Sequence, residues 1–360
     1  MIPCPRVDSA SPFPRIRLSG GGFRRAAPAN HHDVQLLPEP AVFTAAESRW
    51  RGALDGVRTP PAGCAVSVGN FDGVHRGHAV LARHLRAAAD RLGVPAVALT
   101  FDPHPASLVR PGGAPVPLTT PARRAELLLA LGLDAVLVQP VDRAFLGLAA
   151  DAFYRDVLRG RLRAAAIVEG PDFRFGAGRA GDVDLLRRLC AADGVAIEVV
   201  EPVAVDGGTV SSSRIRALVT AGDVAAANML LTAPYRASGT VVTGARRGAA
   251  LGFPTANLGD LATLVPGAGV YAARATVHGD TCRHPAAVHV GCNATFGETV
   301  ATVEAHLVGF AGDLYGRTLH VDFLQRLRDT RRFDSVGELV AQMTRDVEAA
   351  LGVVQGDEGT

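Results

Sequence analysis

The chain contains no lysine; every one of its basic side chains is arginine or histidine. That absence removes whole chemistries. No Schiff-base lysine and no pyridoxal-phosphate anchor can form. The Walker A phosphate loop and the strand lysine of protein kinases are excluded too. Any phosphate must be handled by Arg, His, backbone N–H groups or a metal. Charge is also sparse: 20% of residues are charged and the formal net charge is +2, so neither nucleic acid nor an anionic membrane is indicated as a partner. The five cysteines, Cys4, Cys64, Cys190, Cys282 and Cys292, form no C-x-x-C pair and are odd in number, which reads as a reduced, cytoplasmic protein. No apolar run reaches membrane-spanning length, the N-terminus lacks the apolar stretch of a signal peptide, and no obligate protein partner is evident.

What is present is enough for two cores: 360 residues, 48% of them hydrophobic. Residues 1–33 carry Arg and Ser, are broken by Pro and Gly, and read as a disordered extension. Between 34 and 225 short apolar runs alternate with amphipathic stretches. Strands are expected at Ala65–Val68, Val97–Phe101, Ala135–Val138, Ala165–Val168 and Val195–Val200, and helices over Pro121–Leu131 and Asp182–Ala192. This alternation implies a parallel sheet with right-handed crossovers and ligands at the carboxyl ends of its strands. From 226 to 352 the rhythm changes to closely spaced β segments, Gly239–Val242, Gly269–Val277, Ala286–Val290, Thr302–Phe310 and Thr318–Phe323, as in an antiparallel barrel. A helix over Ser335–Leu351 closes the chain, leaving 353–360 as a polar tail.

The densest motif is Gly69-Asn70-Phe71-Asp72-Gly73-Val74-His75-Arg76-Gly77-His78, between the first strand and the first helix. Glycines there allow sharp turns and close approach of a ligand, and a helix N-terminus offers free N–H groups to an anion. His75 and His78 can stabilise charge developing on a phosphate. Two histidines without a neighbouring cysteine are too few for zinc. The string resembles the HxGH nucleotidylyltransferases and, more narrowly, the adenylyltransferase module of bacterial bifunctional riboflavin kinase/FAD synthetases. Phe101-Asp102-Pro103-His104-Pro105, Gly170-Pro171-Asp172-Phe173-Arg174-Phe175-Gly176 and Ser211-Ser212-Ser213-Arg214-Ile215-Arg216 follow in that family's order. Each of these alone reads as a structural turn or cap.

The resemblance implies a Rossmann-like first domain in which His75 and His78 act catalytically. Gly69, Asn70, Phe71, Asp72, Gly77, Ser212, Arg214 and Arg216 would bind nucleotide. Asp102, Pro103, His104, Pro105, Asp172, Phe173, Arg174 and Phe175 would bind flavin.

Gly244-Ala245-Arg246-Arg247-Gly248-Ala249-Ala250-Leu251-Gly252-Phe253-Pro254-Thr255-Ala256-Asn257 opens the second module. Read alone it is a β-turn; beside the first module it resembles the riboflavin kinase Pro-Thr-Ala-Asn motif. There Gly248 and Gly252 would border the nucleotide, and Thr255 and Asn257 would hold Mg²⁺ brought in with ATP. Glu304, mid-strand among apolar neighbours, is either an outward-facing strand residue or, by the resemblance, the base that takes the proton of riboflavin's 5′-hydroxyl. Arg328 would contact flavin.

The implied activities are phosphorylation of riboflavin to FMN and adenylylation of FMN to FAD, with ATP, riboflavin, FMN and FAD as substrates or products and no redox cofactor. The chain departs from the family's usual pattern in three places: Leu231-Thr232-Ala233-Pro234 for Leu-Gly-Arg-Pro, Ala245 for Asp, and Ala294 for Pro. An FAD synthetase with an impaired kinase, a non-catalytic flavin- or nucleotide-binding regulator, and a nucleotidylyltransferase for another substrate are the alternatives.

Overall fold

Continuous apolar runs dictate the first half of the molecule. In the computed structural model, which describes residues 41–44, 63–109, 112–244, 247–291 and 302–358, they form β2 (Cys64–Val68), β3 (Ala96–Asp102), β4 (Ala135–Pro140), β5 (Ala164–Glu169) and β6 (Ala196–Val199), all parallel. A further strand, β1 (Ala41–Thr44), runs antiparallel along the edge of β4; the sequence did not announce it. The sheet order is β1-β4-β3-β2-β5-β6. Every residue of β2 is buried, as expected of a strand covered by helices on both faces. Those helices include α1 (Arg76–Leu92), α2 (Pro105–Val109), α3 (Pro121–Ala130), α4 (Arg143–Leu146), α5 (Ala150–Ala152), which runs into a π-helical stretch over Phe153–Arg161, and α6 (Val183–Asp193). From β2 the chain builds outward to β4, then crosses back to place β5 on the other side of β2. Such a reversal opens a crevice at the carboxyl ends of the two strands.

A two-residue-strand hairpin, β7 (Ala204–Val205) and β8 (Gly208–Thr209), leads to α7 (Ser212–Ala221) and α8 (Val224–Leu230). The second half is a closed antiparallel barrel of β9 (Tyr235–Val242), β10 (Ala256–Gly259), β11 (Gly269–Val277), β12 (His284–Gly291), β13 (Thr302–Leu307) and β14 (Thr318–Arg328), with a short α9 (Arg247–Ala250) between β9 and β10. Buried and part-exposed residues alternate along β9, the two-residue period that fills a small barrel with side chains.

Several expected boundaries can be located in the fold. The domain boundary placed at 225/226 falls inside α8, and the α7–α8 pair shares its core with the barrel: Ile215, Val219, Val224 and Leu230 join one cluster with Tyr271, Leu319 and Phe323. The closing helix α10 (Val336–Glu358) does not end near Leu351 but continues through the supposed tail; Asp357 ion-pairs there with Arg274 of β11. Within the Gly244–Leu258 segment Leu251 and Gly252 form a turn, Pro254 and Thr255 follow it, and Ala256 and Asn257 open β10. Finally, Cys282 is disulfide-bonded, against the fully reduced reading; Cys64 and Cys190 are free and buried. Pairing depends on how close the fold brings two Cα atoms, which spacing in the sequence does not show. The extension at 1–33, Ala245 and Ala294 lie outside the described residues.

Candidate active sites

The turn after β2 is under backbone constraint. Phe71 and Val74 have φ of 45° and 42°, and Gly73 has φ of 84°, a region that costs a side-chain-bearing residue energy unless its surroundings enforce it. The surroundings here centre on Asp72, which is 2% exposed. Its carboxylate accepts the N–H groups of Leu118 and Thr119 and the Thr119 hydroxyl, each at 3.0 Å. It also ion-pairs with Arg216 of α7 and lies 3.7 Å from Arg124 of α3. The Ser212 hydroxyl donates to the Asp72 carbonyl at 2.8 Å.

This turn delivers His75 to the N-cap of α1. His75 Nδ1 accepts the His78 N–H at 3.4 Å, and His78 Nδ1 accepts the His75 N–H at 3.2 Å. The two rings stack with centroids 3.6 Å apart and planes 14° off parallel. A Cβ at Gly77 would stand 3.1 Å from the His75 ring, so the glycine between the histidines leaves room for the stack. Because each Nδ1 is an acceptor, each neutral ring carries its proton on Nε2. Burial pushes His75 down to about 4. Burial, followed by the neighbouring His75 and Arg124, holds His78 well below the usual imidazole range. At neutral pH the site therefore presents two uncharged Nε2–H donors; full positive charge comes from Arg124, which is 5% exposed.

Beside the turn lies a cleft lined by Gly69, Asn70, Phe101, Pro105, Phe145, Phe153, Phe173, Arg174 and Phe175. Aromatics make up 5% of the chain, yet five phenylalanines meet here. Phe173 stacks on Phe175 with centroids 5.4 Å apart, and Phe153, Phe145 and Phe101 continue the wall. Of the residues expected to hold flavin, Pro105, Phe173, Arg174 and Phe175 line this cleft. Asp102, Pro103 and Asp172 are exposed outside it, and half-buried His104 turns its Nδ1 to the Ala106 N–H at 3.1 Å. Arg214 is not aimed at the crevice: its guanidinium donates to Val205 O at 2.9 Å and Gly208 O at 2.8 Å, closing the β7–β8 hairpin.

Two groups escaped the sequence reading. Arg124 donates to the Thr100 hydroxyl at 3.0 Å and Phe101 O at 3.2 Å; its one signal is an Arg four residues before the buried Leu128. Glu169, 3% exposed at the end of β5, accepts the Val68 N–H at 2.5 Å. Burial raises its carboxyl well above the usual range.

The barrel holds a second pocket, between its mouth and α10. Phe253, Thr255, His289, Glu304, His306, Arg328 and Phe333 line it from the barrel side, and Met343, Asp346 and Val347 from α10. Glu304 stands opposite Asn257 on β10 and His289 on β12, and the Thr302 hydroxyl donates to its Oε1 at 3.1 Å. His289 and His306 were missed by sequence reasoning, being single polar letters in apolar strands. Arg328 is taken up by Asp346, through Nε at 2.9 Å and Nη2 at 2.6 Å.

Mg²⁺ fits the donor set. A Cβ at Gly248 would come within 2.4 Å of Phe253 O and 3.3 Å of Thr255 Oγ1, and one at Gly244 within 2.3 Å of the Asn257 amide. The glycines thus clear space around two neutral oxygen donors, as suits a hard cation that keeps phosphate and water ligands. Gly252, at φ 87°, turns the chain ahead of Thr255. Among the described residues no group of three or more His, Cys, Asp or Glu is placed to hold a metal, and no helix is long and apolar enough to cross a membrane.

The two halves match two families: residues 57–214 match FAD synthetase and residues 231–354 match riboflavin kinase. A bifunctional riboflavin kinase/FMN adenylyltransferase of Pseudomonas fluorescens is 37% identical over 82% of this chain and 95% of its own length. One of Escherichia coli K12 is 36% identical over 82% and 94%. A solved structure titled a macrolide-efflux protein from Streptococcus pneumoniae superposes with a TM-score of 0.72 at 33% identity, covering 81% of this chain and 94% of its own. With both domains matched in order and relatives aligned over nearly their whole length, the chain belongs to the bifunctional riboflavin kinase/FMN adenylyltransferase family.

Proposed function

We propose that the chain makes FMN from riboflavin at the barrel pocket and FAD from FMN at the crevice of the parallel sheet. The observation that carries this reading is the presence, in one chain, of the stacked His75/His78 pair beside an aromatic cleft and of Glu304 facing Asn257 in a second pocket.

At the barrel, Glu304 accepts the proton of the riboflavin 5′-hydroxyl as that oxygen bonds to the γ-phosphorus of ATP and ADP departs. Thr255 and Asn257 would hold Mg²⁺, which neutralises phosphate charge when bound with ATP. At the crevice, an FMN phosphate oxygen attacks the α-phosphorus of ATP and the bond to pyrophosphate breaks; no proton transfer is required. The Nε2–H groups of His75 and His78 donate to the phosphate oxygens that gain charge, and Arg124 and the N-terminus of α1 add positive potential. The phenylalanine wall receives the flavin ring by stacking. Asp72, Ser212 and Arg216 serve by holding the turn. A reaction that consumes ATP fits the cytoplasm.

The test is incubation with ATP, Mg²⁺ and either riboflavin or FMN, followed by separation of the flavins. His78→Ala should block FAD formation and spare FMN formation; Glu304→Ala should do the reverse, each by roughly 10²–10⁴-fold. FMN converted to FAD with riboflavin untouched would leave the synthetase alone. No product from either substrate would favour a binding regulator, and equal loss of both activities in both variants would refute the two-site assignment.

A further inference from the structure

We propose that Thr232, in the segment leading into the barrel, is a positioning residue for the adenylyl site. It fixes the peptide that sets the tautomer of His78. The proposal rests on the assignment of His75 and His78 to FAD formation.

The geometry forms a short relay. Thr232 donates twice to the carbonyl of Val74, from its hydroxyl at 2.6 Å and its N–H at 3.2 Å. Leu231 makes an antiparallel bridge to His75, and its side chain would lie 3.4 Å from a Cβ at Gly73. The segment is thus laid along the turn, not merely near it. Val74 occupies the left-handed region at φ 42°, so its peptide needs an external hold.

In a trans peptide the carbonyl of Val74 and the N–H of His75 point in opposite directions. Holding the carbonyl toward Thr232 therefore aims the His75 N–H the other way, into His78 Nδ1 at 3.2 Å. That bond obliges the neutral His78 ring to carry its proton on Nε2, the nitrogen free to donate to substrate. Without the hydroxyl only the longer N–H bond restrains the peptide. The His75 N–H then drifts from Nδ1, and the Nδ1–H tautomer, with no donor on Nε2, becomes populated. On this account the first residues of the kinase module act in the other module's chemistry.

The test uses the full-length protein with Thr232→Val and Thr232→Ser. Thr232→Val should lower kcat for FMN adenylylation roughly three- to tenfold, the equivalent of one neutral hydrogen bond. KM for ATP and FMN should stay within about twofold, and riboflavin phosphorylation should be unchanged. Thr232→Ser should restore kcat. Nitrogen-15 NMR of the histidine side chains should show His78 as the Nε2–H tautomer in the parent and as a mixture in Thr232→Val. Unchanged adenylylation with a single His78 tautomer in Thr232→Val would overturn the proposal. So would an equal fall in both activities, which marks general destabilisation. If the parent makes no FAD, the functional assignment fails, and the NMR comparison still decides the relay.

Discussion

His75 shows how one buried imidazole ties stability to pH. Its ordinary value near 6.5 falls to about 4 in the folded chain because burial disfavours the charged ring. Between those values the unfolded chain takes up a proton that the folded chain refuses. The His75 contribution to stability is therefore flat above about pH 6.5, falls as pH drops toward 4, and levels off below. The full cost is about 3 kcal/mol. Asn caps helices well without titrating, so His75→Asn should reduce the difference in unfolding free energy between pH 7.5 and 4.5 by roughly 2 kcal/mol or more. Urea denaturation at the two pH values measures it, and an unchanged difference would refute the assignment. Arg124 and Glu169, both buried in the same half of the molecule, were illegible in the sequence. Each is one charged letter in or beside an apolar run, and only tertiary packing reveals that it points inward. The resemblance implied a phosphate contact for Arg214; in the fold its guanidinium donates to two hairpin carbonyls.

Among the elements, α10 depends on ion pairs as well as apolar packing. Asp346 is buried against Arg328, with Gln342 donating to the same carboxylate at 2.8 Å. Asp346→Ala would leave the Arg328 cation partly buried without its counter-charge, a cost of about 2–3 kcal/mol after allowance for its partial exposure. The expected result is a raised KM for riboflavin and a lower urea midpoint, with FAD formation from FMN retained; unaltered kinase kinetics would show that α10 does not shape that pocket. Elements such as the β-rich run Gly269–Val277 and the amphipathic α6 were legible from the sequence almost residue for residue. The end of α10 was not, because residues 353–360 read as a polar tail, while in the fold the helix continues and Asp357 pairs with Arg274. β1 escaped for a related reason: four residues on a sheet edge carry too little pattern to register.

In the molecule as a whole, α7 and α8 join the two halves. Their buried face completes the barrel core, while Ser212 and Arg216 of α7 hold the Asp72 turn. A chain ended at residue 225 would cut α8 and expose Ile215 and Val219 to water. Such a fragment is expected to self-associate on size-exclusion chromatography and to make no FAD; a monomeric, active fragment would show that the helices belong to the first half alone. The sequence reading placed that boundary where strand–helix alternation gives way to closely spaced β segments. A shared core leaves no mark in that rhythm, because α7 and α8 have the same apolar stripe whichever half they cover.

The phenylalanine cleft has an optical consequence. Tyrosine and tryptophan quench flavin emission by giving an electron to the excited ring; phenylalanine is too hard to oxidise to do so. The cleft wall is built from Phe101, Phe145, Phe153, Phe173 and Phe175, with neither tyrosine nor tryptophan among its lining residues. FMN seated there would keep its emission until adenylylation brings an adenine ring against it, so the protein's own reaction would darken its substrate.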